Sequence, residues 1–489
     1  MVLLYSWPAL WNGGPFFFPD SSHYIRSADA AVVSLTGVRS EWSDRLILTD
    51  GREGTAATAD GGNAGSTPIR STRTVLTGRS IYYGALLYGG FAFGKYGPVF
   101  IQSAIAVTAV GLFLFGASQS SDPSHRGRWI WGGLLAIGTL TPLPFFLSRL
   151  MPDAFTGLLA VALVALLAFW DRYTRIARAF LVALASAAIL FHTSHILLTV
   201  AIGAAALLLT IGSKASWTRV IVLPAVLMLL AAGGQMLFSA AVTQTLGAPP
   251  ISPPFMSARL IADGPGYAYL KTHCGEGHFV LCRYLDRMPK GSDTLLWSED
   301  PRDGVFSTVS DPVKRALGRQ DTAFYIAVLK DRPLEVIGSM AGSIAKQTVE
   351  FDLDHFNYIP IHREGARLHL PDATFRWVEQ SAAYRGSVPI APTVILSIAT
   401  TIASLLIITI AIIQAVRRKT WRSPVITATF LLVLAVAANV VICGALSTPH
   451  ARYLMRIIWL LPLVVAALGA SGFQFRLTRF IPTGETAAP

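Results

Sequence analysis

Residues Pro389–Ala415 read PIAPTVILSIATTIASLLIITIAIIQA, and the basic sequence Arg417-Arg418-Lys419 follows almost at once. The apolar run contains no charged residue. It is longer than the roughly 20 residues that a helix needs to cross the hydrocarbon of a bilayer. A second run of this kind is Val425–Leu446. Two apolar runs joined by a short basic loop predict spanning helices, and therefore an integral membrane protein.

The composition of the whole chain agrees with this prediction. The chain has 489 residues, of which 53% are hydrophobic and only 14% are charged, whereas a soluble protein has about 25% charged residues. The net charge of +12 is spread over loops between apolar runs and forms no basic arm. We therefore predict no nucleic-acid partner.

Further apolar runs bring the predicted number of transmembrane helices to about ten. Met1–Trp11 is only half a span, so we interpret it as the exit end of a first helix whose start is missing. The other predicted spans are Gly97–Ala117, Trp129–Leu147, Ala154–Trp170, Phe180–Phe191, Ile196–Ile211, Val220–Val242 and Leu454–Phe473. The predicted fold class is an all-α polytopic membrane protein with a large, α-rich extracytoplasmic loop domain.

The basic residues of the short loops predict the orientation of the chain. Cytoplasmic loops collect Lys and Arg, and two predicted spans separate each basic loop from the next. These loops contain His125, Arg126 and Arg128; Arg172, Arg175 and Arg178; Lys214 and Arg219; Arg417, Arg418, Lys419 and Arg422; and Arg476 and Arg479. We place them in the cytoplasm and the long segment Thr243–Val388 outside. The predicted location is a bacterial inner membrane, with this segment in the periplasm.

The predicted organisation has three parts. An N-terminal transmembrane module, 1–242, includes a first outer loop, 15–79, and an interfacial helix, 80–96. An outer loop domain, 243–388, follows, and 389–489 contains the last spans and a short cytoplasmic tail. Within the outer domain, Pro333 is expected to divide Asp311–Val349 into two helices. Cys274 and Cys282 lie in this domain and are predicted to form a disulfide, with two free thiols as the alternative.

The ionisable residues near helix ends concentrate on the predicted outer side. An ion-coupled transporter usually has such groups near the middle of the bilayer, so the distribution places the chemistry at the outer interface. Asp20 follows the aromatic run Phe16-Phe17-Phe18 and is either a helix cap or a general base. Asp153 is either a first-turn residue favoured by the helix dipole or a second carboxylate that orients an acceptor or a metal.

Candidate binding residues accompany these carboxylates. Arginine suits a lipid-linked phosphate because its planar fork binds two phosphate oxygens, but an arginine at a helix end is also explained by snorkelling. His192 and His195, which flank a tight turn, are either phosphate or sugar ligands or exposed turn residues. The candidates are Arg79, Tyr82, Arg149, His192, His195, His450, Arg452 and Tyr453.

Four short sequences resemble the GT-C superfamily of membrane glycosyltransferases, which use polyprenyl-phosphate-linked sugars. They are Pro19-Asp20-Ser21-Ser22-His23-Tyr24, Gly78-Arg79-Ser80-Ile81-Tyr82-Tyr83, Pro152-Asp153 and His450-Ala451-Arg452-Tyr453. The family often has a paired Asp-Glu or Asp-x-Asp where this chain has Asp20-Ser21-Ser22. We therefore expect no cofactor to be required and leave a divalent metal as an alternative.

The resemblance implies a GT-C-like fold and an inverting transfer of a sugar from a polyprenyl phosphate to an acceptor hydroxyl, with Asp20 as the base. The implied partners are the lipid-linked donor, membrane lipids and an acceptor that is a glycan, a lipid or a protein. A polymerase or ligase of lipid-linked glycans would instead depend on the outer arginines and histidines. A flippase or transporter would need a polar cavity within the spans, and a purely structural membrane subunit is a further alternative.

Overall fold

The computed structural model describes residues 1–43, 75–118, 122–211 and 217–473, and the regular secondary structure within these ranges is helical. The N-terminal helices are α1 (Val2–Tyr5), α2 (Trp7–Asn12), α3 (Ser21–Thr36), α4 (Ile81–Phe91), α5 (Gly97–Ala117), α6 (Pro123–Leu140), α7 (Leu143–Ser148), α8 (Ala154–Phe169), α9 (Arg175–Phe191), α10 (Ser194–Thr210) and α11 (Trp217–Leu246). The segment 243–388, which is predicted to lie outside and which we call the outer segment, contains α12 (Phe255–Asp263), α13 (Pro265–His273), α14 (Ser292–Trp297), α15 (Asp311–Asp331), α16 (Pro333–Val349), α17 (Pro360–His369), α18 (Asp372–Glu379) and α19 (Ala382–Arg385). The C-terminal helices are α20 (Ile390–Arg417), α21 (Pro424–Leu446), α22 (Ala451–Met455) and α23 (Leu460–Ala470). Shorter 3-10 helices are Trp170–Arg172, Cys274–Glu276 and Asp354–Phe356, and a longer one with a kink at Tyr284 is Val280–Arg287.

Six helices in the described ranges are long and apolar enough to cross a bilayer, which indicates a membrane-integral protein. They are α5, α8 with the turn that follows it, α11, α20, α21 and the pair α22–α23. Apolar α10 is shorter. The predicted span Trp129–Leu147 is divided between α6 and α7 at Thr141, whose backbone is extended because a residue before proline disfavours the helical conformation. The total of about ten spans stays a prediction.

Helix α8 is the centre of the bundle. Every residue from Ala154 to Leu166 is buried, and the helix packs against α5, α9, α10 and α21. A helix that is apolar on all sides is expected to be enclosed by other helices. Gly157 allows the Trp459 indole to approach α8, because a Cβ atom at this position would lie 2.6 Å from the ring. The N-terminus of α8 is thereby fixed against the last helices of the chain.

The basic loops meet at one end of the bundle, at the opposite end from Asp153. Arg172 donates to the backbone carbonyl of Gly116, and Arg219 forms an ion pair with Asp171. Arg422 donates to the carbonyl of Ile211. These contacts place the ends of α5, α8 and α10 together with the starts of α11 and α21. Lys214, Arg476 and Arg479 lie outside the described residues.

The outer segment is divided between two hydrophobic cores. Residues 251–336 form a separate core, in which Leu317, Phe324 and Val328 of α15 are buried. Residues 353–388 pack instead into the core of the membrane module. Pro333 begins α16, so the predicted division of Asp311–Val349 into two helices is confirmed. The outer segment therefore holds a loop domain and a second part that covers the bundle.

The connector before the second span is a shorter helix than the predicted 80–96. Helix α4 begins after Ser80, whose hydroxyl accepts a hydrogen bond from the Tyr83 N–H. It ends before Gly94, which has a φ of 87°, a value that favours glycine. Helix α4 packs along α3, and a Cβ atom at Gly84 would lie 2.1 Å from the Tyr24 carbonyl oxygen. Much of the first outer loop, residues 44–74, lies outside the described residues.

Candidate functional site

The predicted outer turns meet at the N-terminus of α8, where Asp153 forms a buried ion pair. Asp153 makes no side-chain capping bond. Its Oδ1 instead accepts a 2.9 Å hydrogen bond from Nη1 of Arg456. The exposed fractions of the two side chains are only 4% and 1%. Nη2 of Arg456 also donates to Oδ1 of Asn439 at 2.9 Å. The ion pair therefore ties α8 to α21 and the last span.

Three arginines are linked by two aromatic rings at this end of the bundle. The Phe18 ring lies 5.3 Å from the Arg149 guanidinium carbon and 4.8 Å from that of Arg452. The Tyr453 ring lies 4.8 Å from Arg452 and 4.9 Å from Arg456. We call these three arginines together with Asp153 the arginine cluster. Aromatic faces attract guanidinium groups, so the rings hold the positive charges close together.

The arginine cluster contains buried donors without acceptors. Within the described part of the chain, Nη1 and Nη2 of Arg149, Nη1 of Arg452 and Nε of Arg456 have no hydrogen-bond partner. An unpaired buried donor is costly, and more so when it is charged. Three guanidinium groups also face a single carboxylate. The arrangement therefore suits an anion with several acceptor oxygens, such as a phosphate.

Asp153 remains ionised within this cluster. Burial alone would raise the pKa of its carboxyl group, but the positive charges of Arg452, Arg456 and Arg149 outweigh that effect and lower the pKa to about 2. Oδ2 of Asp153 is buried without a partner in the described residues. The carboxylate is accordingly a fixed negative charge that is paired with Arg456.

A loop distant in sequence covers the cluster and contributes residues that we did not predict. The Phe356 ring lies 3.9 Å from the Arg149 guanidinium carbon. Next to it, Nε2 of His355 is buried without a partner in the described chain. Burial, and then the charges of Arg149 and Arg452, lower the pKa of His355 to about 3, so its ring is neutral. Hydropathy gave no signal for these residues, since they lie in a polar part of the outer segment.

Asp20 stands next to the cluster and is paired with Arg79. Its side chain makes no capping bond, so the interpretation as a side-chain cap of α3 is wrong. Nη2 of Arg79 lies 2.9 Å from Oδ1 of Asp20, and Nε of Arg79 donates to the same oxygen at 3.1 Å. The Trp297 ring of the loop domain lies 5.9 Å from the Arg79 guanidinium carbon. The Asp20 carboxylate is half-exposed, so a substrate can reach it.

The two predicted turn histidines have different environments. His195 is fully buried, and its ring nitrogens bond to Thr156 and to the Ala188 carbonyl. The expectation of two exposed imidazoles is therefore wrong, because α10 turns His195 into the bundle.

His192 is half-buried, and its Nδ1 accepts from the Ser194 N–H. Burial, and then the charges of Arg456 and Arg452, lower its pKa to about 4, while Asp153 and Asp20 act in the opposite direction. These four charged groups are therefore near enough to His192 to affect its pKa.

His450 connects this site to the loop domain. Its Nε2 lies 3.1 Å from Oδ2 of Asp293, and this hydrogen bond lowers the pKa of Asp293. The backbone of His450 exchanges two hydrogen bonds with the Gln347 side chain, at 2.9 and 3.0 Å. The predicted binding residue His450 thus holds the last outer turn against α14 and α16. The loop domain also contains the bonded pair Cys274–Cys282, with a Cα–Cα distance of 5.3 Å.

A cleft lies beside the ion pair of Asp20 and Arg79. Tyr82 contributes one wall, and its hydroxyl donates to the Gly234 carbonyl at 2.8 Å. The lining residues are Gly78, Arg79, Ser80, Ile81, Tyr82, Leu190, Phe191, His192, Thr193, Gln235 and Phe238. The described residues contain no group of three or more His, Cys, Asp or Glu side chains arranged to hold a metal ion. No family model, curated protein or solved structure shows a significant match to this chain.

Proposed function

We propose that this protein is a GT-C-type glycosyltransferase that moves a sugar from a polyprenyl phosphate to an acceptor hydroxyl at the outer face of the membrane. In this proposal the membrane is a bacterial inner membrane and the loop domain is periplasmic. The observation that carries the proposal is the arrangement of the arginine cluster and Asp20. Buried guanidinium donors that lack acceptors lie next to an accessible carboxylate, at the end of the bundle away from the basic loops.

The arginine cluster is the proposed site of the donor phosphate. Arg149 and Arg452 have buried N–H groups that no described residue accepts from, and in such a setting charge-assisted hydrogen bonds to phosphate oxygens are strong. Asp153 holds Arg456 in place by the ion pair and reduces the repulsion among the three arginines. Phe356 and Phe18 restrict the guanidinium planes by stacking. The phosphate would supply the acceptor oxygens that these buried donors lack.

Asp20 is the proposed general base. Its carboxylate accepts the proton of the acceptor hydroxyl while the hydroxyl oxygen forms a bond to the anomeric carbon. The bond from that carbon to the phosphate oxygen breaks, and its electron pair leaves with the polyprenyl phosphate. The arginines stabilise the negative charge that develops on the departing phosphate. Arg79 positions Asp20 by two contacts from one guanidinium group.

The test is transfer of a labelled sugar from polyprenyl phosphate in membranes that contain matched amounts of each variant. We expect Asp20→Asn to fold, insert and bind donor, yet to lose about 10²–10⁴-fold in turnover, which is the usual contribution of a positioned base. Asn has the size of Asp, and its amide oxygen can still accept the hydrogen bond from Arg79, so the substitution removes the proton acceptor and keeps this contact. The control is Asp171→Asn, which removes a carboxylate at the opposite end of the bundle. Near-normal turnover in Asp20→Asn would overturn the assignment of the base.

A second candidate is a polymerase or ligase of lipid-linked glycans. The observation that favours it is the same set of buried arginines, since a ligase also has to hold a lipid-linked phosphate. The two candidates differ in their dependence on the carboxylate. A ligase of this kind would lose activity when Arg149 or Arg452 is replaced and keep it in Asp20→Asn.

A further inference from the structure

The cleft beside Asp20 and Arg79 reaches the lipid-facing surface of the bundle. Two of its lining residues, Gln235 and Phe238, belong to α11. This helix is apolar and is the least buried of the six long apolar helices. Neighbouring side chains such as Leu229 and Met236 are more than 70% exposed. An apolar helix with an exposed surface of this kind faces lipid, so the cleft opens towards the bilayer.

Gln235 differs from Gln102 of α5 and Asn439 of α21, two amide side chains that are buried within the bundle. The amide of Gln102 bonds to the Tyr83 hydroxyl and to the Leu147 carbonyl. The amide of Asn439 bonds to Arg456 and to the Tyr453 carbonyl.

Gln235, by contrast, is exposed in the cleft, and no described residue bonds to its side chain. A polar group without a partner is unfavourable next to lipid. The amide therefore points to a polar ligand group at this position.

The charge of the cleft distinguishes its ligand from the donor phosphate. Among the described residues that line the cleft, Arg79 alone is charged, and Asp20 neutralises it. His192 is neutral at physiological pH because its pKa is lowered to about 4, first by burial. The other polar lining groups are hydroxyls and the Gln235 amide. These groups suit an uncharged, hydroxyl-bearing molecule, whereas the arginine cluster, with three guanidinium groups and one carboxylate, suits an anion.

We propose that this cleft binds the uncharged head group of a lipid-anchored acceptor, which enters from the outer leaflet beside α11. The assignment rests on the proposed function, because it places the acceptor hydroxyl next to Asp20. Arg79 both lines the cleft and contacts Asp20. A hydroxyl group bound in the cleft would therefore lie near the Asp20 carboxylate. The donor would approach the same carboxylate from the arginine cluster, and the two substrates would meet at Asp20.

The test is photo-crosslinking of the full-length protein in liposomes. One probe is an alkyl glucoside with a diazirine on its alkyl chain, and the other is a farnesyl phosphate that carries the same group. We expect the glucoside to label the α11 peptide that contains Gln235 and Phe238, and unlabelled farnesyl phosphate not to compete. Stronger labelling of this peptide by the farnesyl phosphate would make the cleft a donor entrance and overturn the proposal. Absence of labelling by the glucoside would also overturn it.

A pair of neighbouring variants separates binding in the cleft from general contact with lipid. Gln235→Leu keeps the size of the side chain and removes its hydrogen bonds, so we expect glucoside labelling to fall about five-fold. Met236→Leu alters the next residue, which faces outward and does not line the cleft, and should leave labelling unchanged. Equal labelling in both variants would contradict the role of Gln235.

The labelling experiment is independent of catalysis. It measures occupancy of the cleft and requires no sugar donor. Labelling that depends on Gln235, in a protein that transfers no sugar from any polyprenyl phosphate, would support the lipid site and overturn the proposed glycosyl transfer. Sugar transfer without labelling of the cleft would support the proposed glycosyl transfer and overturn the lipid site.

Discussion

The Asp153 carboxylate accepts a 2.9 Å hydrogen bond from the Arg456 guanidinium, although 303 residues separate the two in the chain. Both side chains are almost completely buried. Removing one partner of a buried ion pair leaves the other charge without compensation, which is strongly destabilising. This relationship connects the first half of the chain to the last span and also orients the proposed phosphate site.

The first prediction concerns the stability of this ion pair. Asp153→Asn keeps the size of the side chain but leaves three arginines without a facing carboxylate, so we expect a loss of about 3 kcal/mol of stability. Thermal unfolding of the purified protein in detergent measures the loss. The matched control is Asp171→Asn, which breaks an exposed ion pair with Arg219 and should cost less than about 1 kcal/mol. Equal melting temperatures for the two variants would contradict the prediction.

The second prediction concerns donor binding by Arg452. One guanidinium nitrogen of Arg452 bonds to the Tyr453 hydroxyl at 3.0 Å, and another is buried without a partner in the described residues. Lys keeps the charge but loses the planar fork. We therefore expect the affinity for polyprenyl phosphate to fall about ten-fold in Arg452→Lys and further in Arg452→Ala. Equilibrium binding in detergent measures the affinity.

The control for this prediction is Arg302→Lys, because Arg302 is exposed and pairs with Asp300 on the loop domain. It should bind the lipid phosphate normally. If Arg452→Ala also binds normally, snorkelling remains as the explanation of that arginine.

The third prediction is a pH dependence of the loop that covers the cluster. A hydrogen bond shared with the Asp352 carboxyl group, followed by burial, raises the pKa of Asp354 from 3.8 to about 6. The folded loop therefore binds this proton more tightly than the unfolded chain does. The resulting stabilisation is complete below about pH 4 and is lost as the pH rises through about 6. We expect residues 352–356 to become less protected over this range.

Hydrogen–deuterium exchange, corrected for the intrinsic pH dependence of exchange, measures the protection. Asp354→Asn has no proton to lose at this position, and its loop should show the same protection at pH 4 and pH 7. A wild-type loop whose corrected protection does not change between these pH values would refute the prediction.

The fourth prediction concerns the orientation of the chain. The basic loops meet at one end of the bundle, and basic loops are expected in the cytoplasm. A membrane-impermeant thiol reagent added from outside should label Ser310→Cys and miss Thr420→Cys, since both positions are exposed in the structure. The buried native thiol of Cys443 should stay unlabelled in the wild-type protein. Labelling of Thr420→Cys alone would reverse the orientation.

The sequence was sufficient for features that depend on neighbouring residues. The run Pro389–Ala415 corresponds to the long apolar helix α20, because hydropathy over about 20 residues decides whether a helix can lie in a bilayer. Pro333 divides α15 from α16, because proline cannot occupy the interior of a regular helix. The alternation of basic loops also predicted which helix ends lie together, since each span reverses the direction of the chain.

Only the tertiary structure decided which side chains meet at the site. The sequence presents Asp20 as a potential cap, but α4 and α3 pack so that Arg79 reaches its carboxylate. The sequence places Phe356 in a polar loop, but in the structure the Phe356 ring lies against the Arg149 guanidinium group. Such contacts depend on how distant segments pack and on the directions of their side chains, whereas hydropathy and periodicity report only on residues within one element. The local sequence therefore determined the membrane helices, and packing between them determined the charged site at one end of the bundle.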